Sequence, residues 1–73
     1  MNTNTAMRYI RDHYTPIIEA DSIETAHKMK MIANAYVNAW ALSGPLGNED
    51  TEVLYKEIEA VYNLMTDKFI VKY

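Results

Sequence analysis

Residues 21–43 have the sequence DSIETAHKMKMIANAYVNAWALS, which predicts one long central helix. Asp21 can accept hydrogen bonds from the backbone N–H groups of the first turn, and Glu24 follows at the capping-box spacing. The Gly-Pro pair at 44–45 then ends the helix, because glycine adopts a positive φ easily and proline cannot continue a helix. We therefore expect a helix over about residues 22–43, with the rest of the chain packed around it.

The central helix has one strong apolar face and one weaker apolar strip. The strong face is predicted to lie in the core and contains Met29, Ile32, Ala33, Tyr36, Val37 and Trp40. The opposite side is predicted to face water; it includes Lys30, and Glu24 with Lys28 in the favourable i, i+4 order. The weaker strip lies on this side and contains Met31, Ala35 and Leu42. Either the first helix of the chain covers this strip, or a partner protein or a second copy does.

A short amphipathic helix is predicted before the central one, over about residues 5–14. Its apolar residues recur at helical spacing and are Ala6, Met7, Ile10 and Tyr14, with Thr3, Asn4 or Thr5 available as the cap. Pro16 either ends this helix or, with Thr15, opens one further helical turn. In both cases we expect Ile17 and Ile18 to close the open end of the core.

A third helix is predicted over about residues 50–69, after a loop with the sequence SGPLGNED. The loop is short enough to make the two long helices antiparallel neighbours. We expect Asn48 or Asp50 to cap the third helix. Its main apolar stripe contains Leu54, Ile58, Val61, Met65 and Phe69, and further apolar residues widen it on both sides. This arc is wider than one neighbour can cover, so either the helix lies in a groove between the other two or part of the arc meets another molecule. For residues 70–73, helix, strand and fraying all remain open.

The sequence thus predicts one all-α domain with a short N-terminal helix and two long antiparallel helices. A chain of 73 residues buries only about 60% of its unfolded surface, and such small cores usually have a further source of stability. The chain has no cysteine, yet it is 49% hydrophobic, with six tyrosines and five methionines. We therefore expect stabilisation by self-association, with a homodimer as the simplest form.

Charge and hydropathy narrow the classes of partner and location. The net charge is −3, and the acidic excess lies in the last third of the chain, so nucleic-acid binding is disfavoured. The sequence contains no membrane-spanning run and does not start like a signal peptide. We expect a cytoplasmic protein.

No motif for catalysis, phosphate binding or metal binding is present. His13 and His27 are the only side chains whose ordinary pKa lies near neutral pH, and surface or capping roles explain both. Glu19, Asp21 and Glu24 lack the ligand spacing of a calcium loop and are better explained by helix capping. The sequence therefore predicts no enzyme, no metal and no cofactor.

Surplus apolar and aromatic side chains favour a protein-interaction module. The candidate interface residues are Tyr9, Met31, Leu42, Tyr55, Leu64 and Tyr73. We expect a chain that binds itself and a larger protein, as inhibitor, adaptor or regulator, in the style of small accessory proteins of bacteria, bacteriophages and other mobile elements. The alternative is a small DNA-binding transcriptional regulator, for which the central helix offers only Lys28 and Lys30.

Overall fold

A computed structural model describes residues 2–70, without the side chain of Ile70. It contains α1 (Thr3–Asp12), α2 (Tyr14–Ile18), α3 (Ile23–Ser43) and α4 (Asn48–Ile70), and no strand within the described range. The predicted class is confirmed: a short N-terminal helix, extended by the single turn of α2, packs with two long helices. Tyr73 and the other residues after 70 lie outside the described part.

The N-terminal ends of α1 and α3 are set by caps that differ from the expected ones. Asn2 caps α1, because its side chain accepts a hydrogen bond from the Thr5 backbone N–H at 2.8 Å, and α1 therefore begins two residues earlier than expected. Ser22, and not Asp21, caps α3: its hydroxyl oxygen accepts from the Thr25 N–H at 3.1 Å. The predicted capping types were correct, but their positions were wrong by one residue or more.

The loop between the long helices begins as expected and ends earlier. Gly44 takes the left-handed conformation with φ 111°, and its N–H donates to the Trp40 carbonyl at 3.1 Å. α4 begins at Asn48, so the predicted caps Asn48 and Asp50 both lie inside the helix. Instead the Thr51 N–H and hydroxyl both donate to the Gly47 carbonyl, at 3.0 and 2.8 Å.

The segment after α1 forms one further helical turn, as in the second predicted alternative, but the turn begins at Tyr14, with His13 at its N-cap, and not at Thr15 and Pro16. α1 ends at Asp12, and Pro16 is the third residue of α2, where its missing N–H would have no intrahelical partner in any case. Ile17 is fully buried, as expected, but Ile18 is 52% exposed. Neighbouring residues on a helix point about 100° apart, so one of the two isoleucines faces the core and the other faces water.

The two long helices pack antiparallel into a rod of 44 × 17 × 16 Å. Two cross-helix contacts show the direction: the His27 and Tyr62 rings are 6.0 Å apart, and one turn further along α3 Lys30 pairs with Glu59 at 2.8 Å. Lys30 was expected in water, but its side chain is only 16% exposed and its Nζ lies 4.5 Å from the Tyr62 ring centroid. The aliphatic stem packs while the charged end reaches its partner.

The core is a single cluster that runs along the rod. It contains Ala6, Ile10, Ile17, Ala33, Val37, Leu46, Leu54, Ile58 and Met65. Met29, Tyr36, Trp40 and Val61 pack against it from its edges, as their predicted stripes require. Ile32 was expected in the core but is exposed, because the core side of α3 is centred on Ala33 and Val37 and Ile32 points well away from both.

Candidate functional site

The side of α3 that points away from the core carries a row of exposed apolar residues. We call this set the outer face of α3; it consists of Met31, Ile32, Ala35, Ala39 and Leu42. Met31 is 54% exposed and Leu42 81% exposed. The expectation that the first helix covers this strip is therefore wrong. α1 packs on α3 too far round the helix to reach it, because Tyr9 of α1 contacts the Trp40 edge.

A shallow open depression of about 250 Å³ lies on this face. Its lining residues are Ile32, Ala35, Tyr36 and Ala39. The two alanines stand one helical turn apart, and their short side chains leave room between the bulkier isoleucine and tyrosine. The depression is lined almost wholly by apolar groups and is open to solvent.

An aromatic cluster forms one border of the depression. The Tyr9 and Trp40 ring centroids are 4.9 Å apart, and those of His13 and Tyr36 are 4.5 Å apart. His13 also lies with Nδ1 2.9 Å from the Tyr9 carbonyl oxygen. These rings hold one another in place across α1 and α3, and Tyr9 remains 42% exposed. Rigid, partly exposed aromatic rings supply contact area at low entropy cost.

Charge distinguishes the outer face of α3 from the outer side of α4. Residues 31–48 contain no Asp, Glu, Lys, Arg or His. The exposed residues of α4 are mixed with many charges, and these are Glu49, Glu52, Lys56, Glu59, Asp67 and Lys68. An exposed helix face without charge is unusual for a surface that stays in water, because water-facing helix positions are normally polar or charged.

The six predicted interface residues do not form one surface. Met31 and Leu42 lie on the same side of α3, because eleven residues are about three helical turns. Tyr55 and Leu64 are exposed, but nine residues separate them, which puts them on opposite sides of α4. Tyr9 belongs to the aromatic cluster, and Tyr73 lies outside the described residues.

Sequence reasoning missed Ile32 and Ala39 as exposed members of the face. Ile32 had been assigned to the core, and alanine carries little signal by itself. The signal in the sequence was the run of residues 31–48 without any charge, because the buried side of α3 requires uncharged residues at only some of these positions.

The apolar arc of α4 is also only partly covered. Leu54, Ile58 and Met65 are buried between the other helices, while Val53 and Leu64 are 44% and 70% exposed. Val53 and Leu64 are separated by charged residues, because Lys56 and Glu57 lie between them along the helix. The second strip is thus less continuous than the outer face of α3.

A polar network of Arg11, Tyr14 and Glu57 joins α1, α2 and α4. Arg11 donates two hydrogen bonds to Glu57, from Nε to Oε1 at 3.0 Å and from Nη2 to Oε2 at 2.9 Å. The Tyr14 hydroxyl donates to Glu57 Oε1 at 2.9 Å. The pairing is bidentate and fixes the register of α1 on α4.

The network shifts the ionisation of its members. The hydrogen bonds from Arg11 hold the pKa of Glu57 below its ordinary value, and the bond to Glu57 raises the pKa of Arg11. Burial, followed by the bond to Glu57, raises the pKa of Tyr14. The three groups are paired with one another across α1, α2 and α4, so the network holds these helices together.

The candidate titratable and acidic groups are not brought together. His13 lies at the junction of α1 and α2 against the aromatic cluster, whereas His27 is exposed on α3 beside Tyr62. In the described range, no group of three or more His, Asp or Glu side chains is placed to hold a metal ion. Glu24 and Lys28 were predicted to pair at i, i+4, but the ion pairs found in the described part of the chain do not include them. Glu52 and Lys56 do form an i, i+4 ion pair, at 3.1 Å.

Residues 2–70 include no helix with the length and apolar character that crossing a bilayer requires. Comparison with models of protein families, with curated protein sequences and with solved structures gives no significant match.

Proposed function

We propose that this chain is a non-enzymatic protein-interaction module. It uses the outer face of α3 to associate with other protein surfaces, its own second copy included, and acts on a larger protein as an inhibitor, adaptor or regulator. We further propose that it works in the cytoplasm as an accessory protein of a bacterium, a bacteriophage or another mobile element.

One observation carries the proposal: an exposed apolar face runs from Met31 to Leu42 without any charged residue. Apolar side chains held in water lose the stabilisation that burial gives, at about 25 cal/mol for each Å² of apolar surface. Contiguous exposed apolar surface on a small protein is characteristic of binding sites. The aromatic rings beside it resemble the residue types that dominate binding energy at interfaces.

The test compares three tagged baits in a lysate of the source organism: the wild type, Ala39→Glu and Ala60→Glu. Both alanines are exposed on helices, so both variants should fold like the wild type. Ala39 lies in the centre of the proposed face, and Ala60 lies on the outer side of α4. We expect a protein that binds the wild type and Ala60→Glu but is lost with Ala39→Glu.

Photo-crosslinking from Ala35 should then place that protein on α3. Proteins that bind all three baits equally would contradict the use of this face. Loss of the same protein with Ala60→Glu but not with Ala39→Glu would move the binding surface to α4.

A further inference from the structure

We propose that a second copy of this chain covers the outer face of α3. The two α3 helices pack antiparallel about a two-fold axis that passes between Ala35 and Tyr36. This inference rests on the proposed function, because it names one occupant of the same surface. It is carried by the sizes of the side chains along α3 and by the positions of its charges.

The sizes of the side chains are self-complementary in this arrangement. The axis places Ile32 of one copy opposite Ala39 of the other, where the depression lies. Two-fold symmetry forms this contact twice, so each copy gives one bulky side chain and receives one. A small residue opposite a large one lets the helix axes approach to about 8 Å, the close end of normal helix packing.

The two most exposed large apolar side chains of the outer face of α3 gain partners along one edge of the same contact. Leu42 is 81% exposed and lies near one end of the face, and Met31 is 54% exposed and lies near the other end. In the antiparallel pair, Leu42 of one copy lies beside Met31 of the other. The contact again occurs twice, and it removes from water the side chains that no helix of the same copy covers.

Charge selects the antiparallel direction. Within residues 2–70 Lys28 has no ion-pair partner, and the last turn of α3 contains no basic residue. The C-terminal end of a helix carries partial negative charge, which a nearby cation stabilises. The antiparallel pair brings Lys28 of one copy to Ser43 at that end of the other.

A parallel pair would instead place like charges together. Lys28 would face Lys28 and Glu24 would face Glu24 across the axis, and such contacts are unfavourable. In the antiparallel pair the charged first turns of α3 lie opposite the uncharged part of the other copy, residues 31–48.

Sedimentation equilibrium of the full chain tests the dimer. We expect the mass to rise with concentration from the 8.4 kDa of one chain towards twice that value at about 100 µM. Ala39→Glu should raise the dimer Kd by about 100-fold or more, because two carboxylates then lie in an apolar contact. Ala60→Glu, the matched control on α4, should leave the Kd unchanged. Circular dichroism should show the same helix content in all three proteins.

Disulfide crosslinking tests the direction and the position of the axis. The chain has no cysteine, so each single-cysteine variant carries one thiol. Ala35→Cys lies beside the proposed axis and should form a covalent dimer on oxidation. Ala39→Cys should not, because its two thiols would be separated by about 10 Å along the helices, too far for a disulfide. Ala60→Cys serves as the control for random collision.

Several results would overturn the proposal. The first is a monomer at every concentration up to about 1 mM, where even weak dimers form. The second is a dimer that Ala60→Glu dissociates and Ala39→Glu does not. The third is equal crosslinking of the Ala35→Cys and Ala39→Cys variants, which indicates a parallel pair. A monomer whose outer face still captures a larger protein would refute the dimer and leave the proposed function standing. A dimer with the predicted crosslinks, but with no protein lost from the Ala39→Glu bait, would support the dimer and refute the binding of a larger protein through the outer face of α3.

Discussion

Two neighbouring isoleucines provide a direct test of how α2 stabilises the fold. Ile17 and Ile18 are adjacent, have the same side chain and lie in the same short helix, but Ile17 is fully buried and Ile18 is 52% exposed. Substituting each by alanine removes the same atoms and changes helix propensity equally. The difference in stability between the two variants therefore measures the burial at Ile17.

The structure sets the expected magnitudes. Ile17→Ala opens a cavity within the core cluster, and such substitutions cost about 3 to 4 kcal/mol. Ile18→Ala removes a side chain already half in water and leaves no enclosed cavity, so about 1 kcal/mol is expected. In a domain of this size each kcal/mol lowers the melting temperature by about 4 to 8 °C. Ile17→Ala should thus lower it by more than about 12 °C, and Ile18→Ala by about 4 to 8 °C.

The assay is unfolding in urea followed by circular dichroism, supported by thermal melts at the same protein concentration. The slope of the urea transition should stay the same in both variants, so that the shift in midpoint reports stability alone. Equal losses from Ile17→Ala and Ile18→Ala would refute the placement of α2. A larger loss from Ile18→Ala would mean that α2 is rotated from the position described.

Three further predictions follow from single side chains. The pKa of Glu57 is lowered in the folded state, so its stabilisation is full above its ordinary value of 4.5 and is lost as pH falls through the folded pKa. The free energy of unfolding of the wild type should therefore decrease more steeply below about pH 5 than that of Glu57→Gln. At pH 7 the Glu57→Gln substitution should lower the free energy of unfolding by at most about 1 kcal/mol, because the ion pair is partly exposed. Parallel curves of stability against pH would contradict this prediction. Trp40→Ala should lower the free energy of unfolding in urea by about 2 to 3 kcal/mol. This is less than for a fully buried tryptophan, because Trp40 packs only at the edge of the core. An unchanged midpoint of the urea transition would place Trp40 outside the packed structure. Gly44→Ala should cost about 1 to 2 kcal/mol through its positive φ alone, because an added Cβ meets nothing within 4 Å. Gly47→Ala, whose added Cβ would make an ordinary 3.7 Å contact, should cost less, about 0.5 kcal/mol, because Gly47 lies at the N-cap of α4 and alanine is a poorer N-cap than glycine. Equal losses in the same assay would argue against a left-handed C-cap.

The helical ends could be predicted only to within a residue or two. Several side chains near each end can satisfy the same free N–H groups, and local geometry chooses among them. Thus Ser22 caps α3 where Asp21 was expected, and Asn2 caps α1 ahead of the three predicted candidates. Gly44 had no competitor, since it alone combines a helix end with an easily reached positive φ, and it was predicted correctly.

The candidate surface was predicted in part. Met31 and Leu42 could be assigned to the side of α3 away from the core because their spacing is a property of the helix itself. Whether another helix of the chain covers that side depends on where α1 crosses α3, and the aromatic contacts of Tyr9 settle that position only in three dimensions. Tyr55 and Leu64 were grouped with them by residue type, which contains no information on direction.

The sequence by itself determined the number of long helices, their order and their antiparallel direction, because helical periodicity and the Gly44 turn act over a few residues. The tertiary structure decided which apolar residues are covered, because coverage depends on the neighbour that lies over each face. Ile17 and Ile18 are the same residue type, and so are Ile32 and Ile58, yet one member of each pair is buried and the other is exposed. The packing of α1 and α2 on the two long helices makes that distinction, and it leaves the outer face of α3 open.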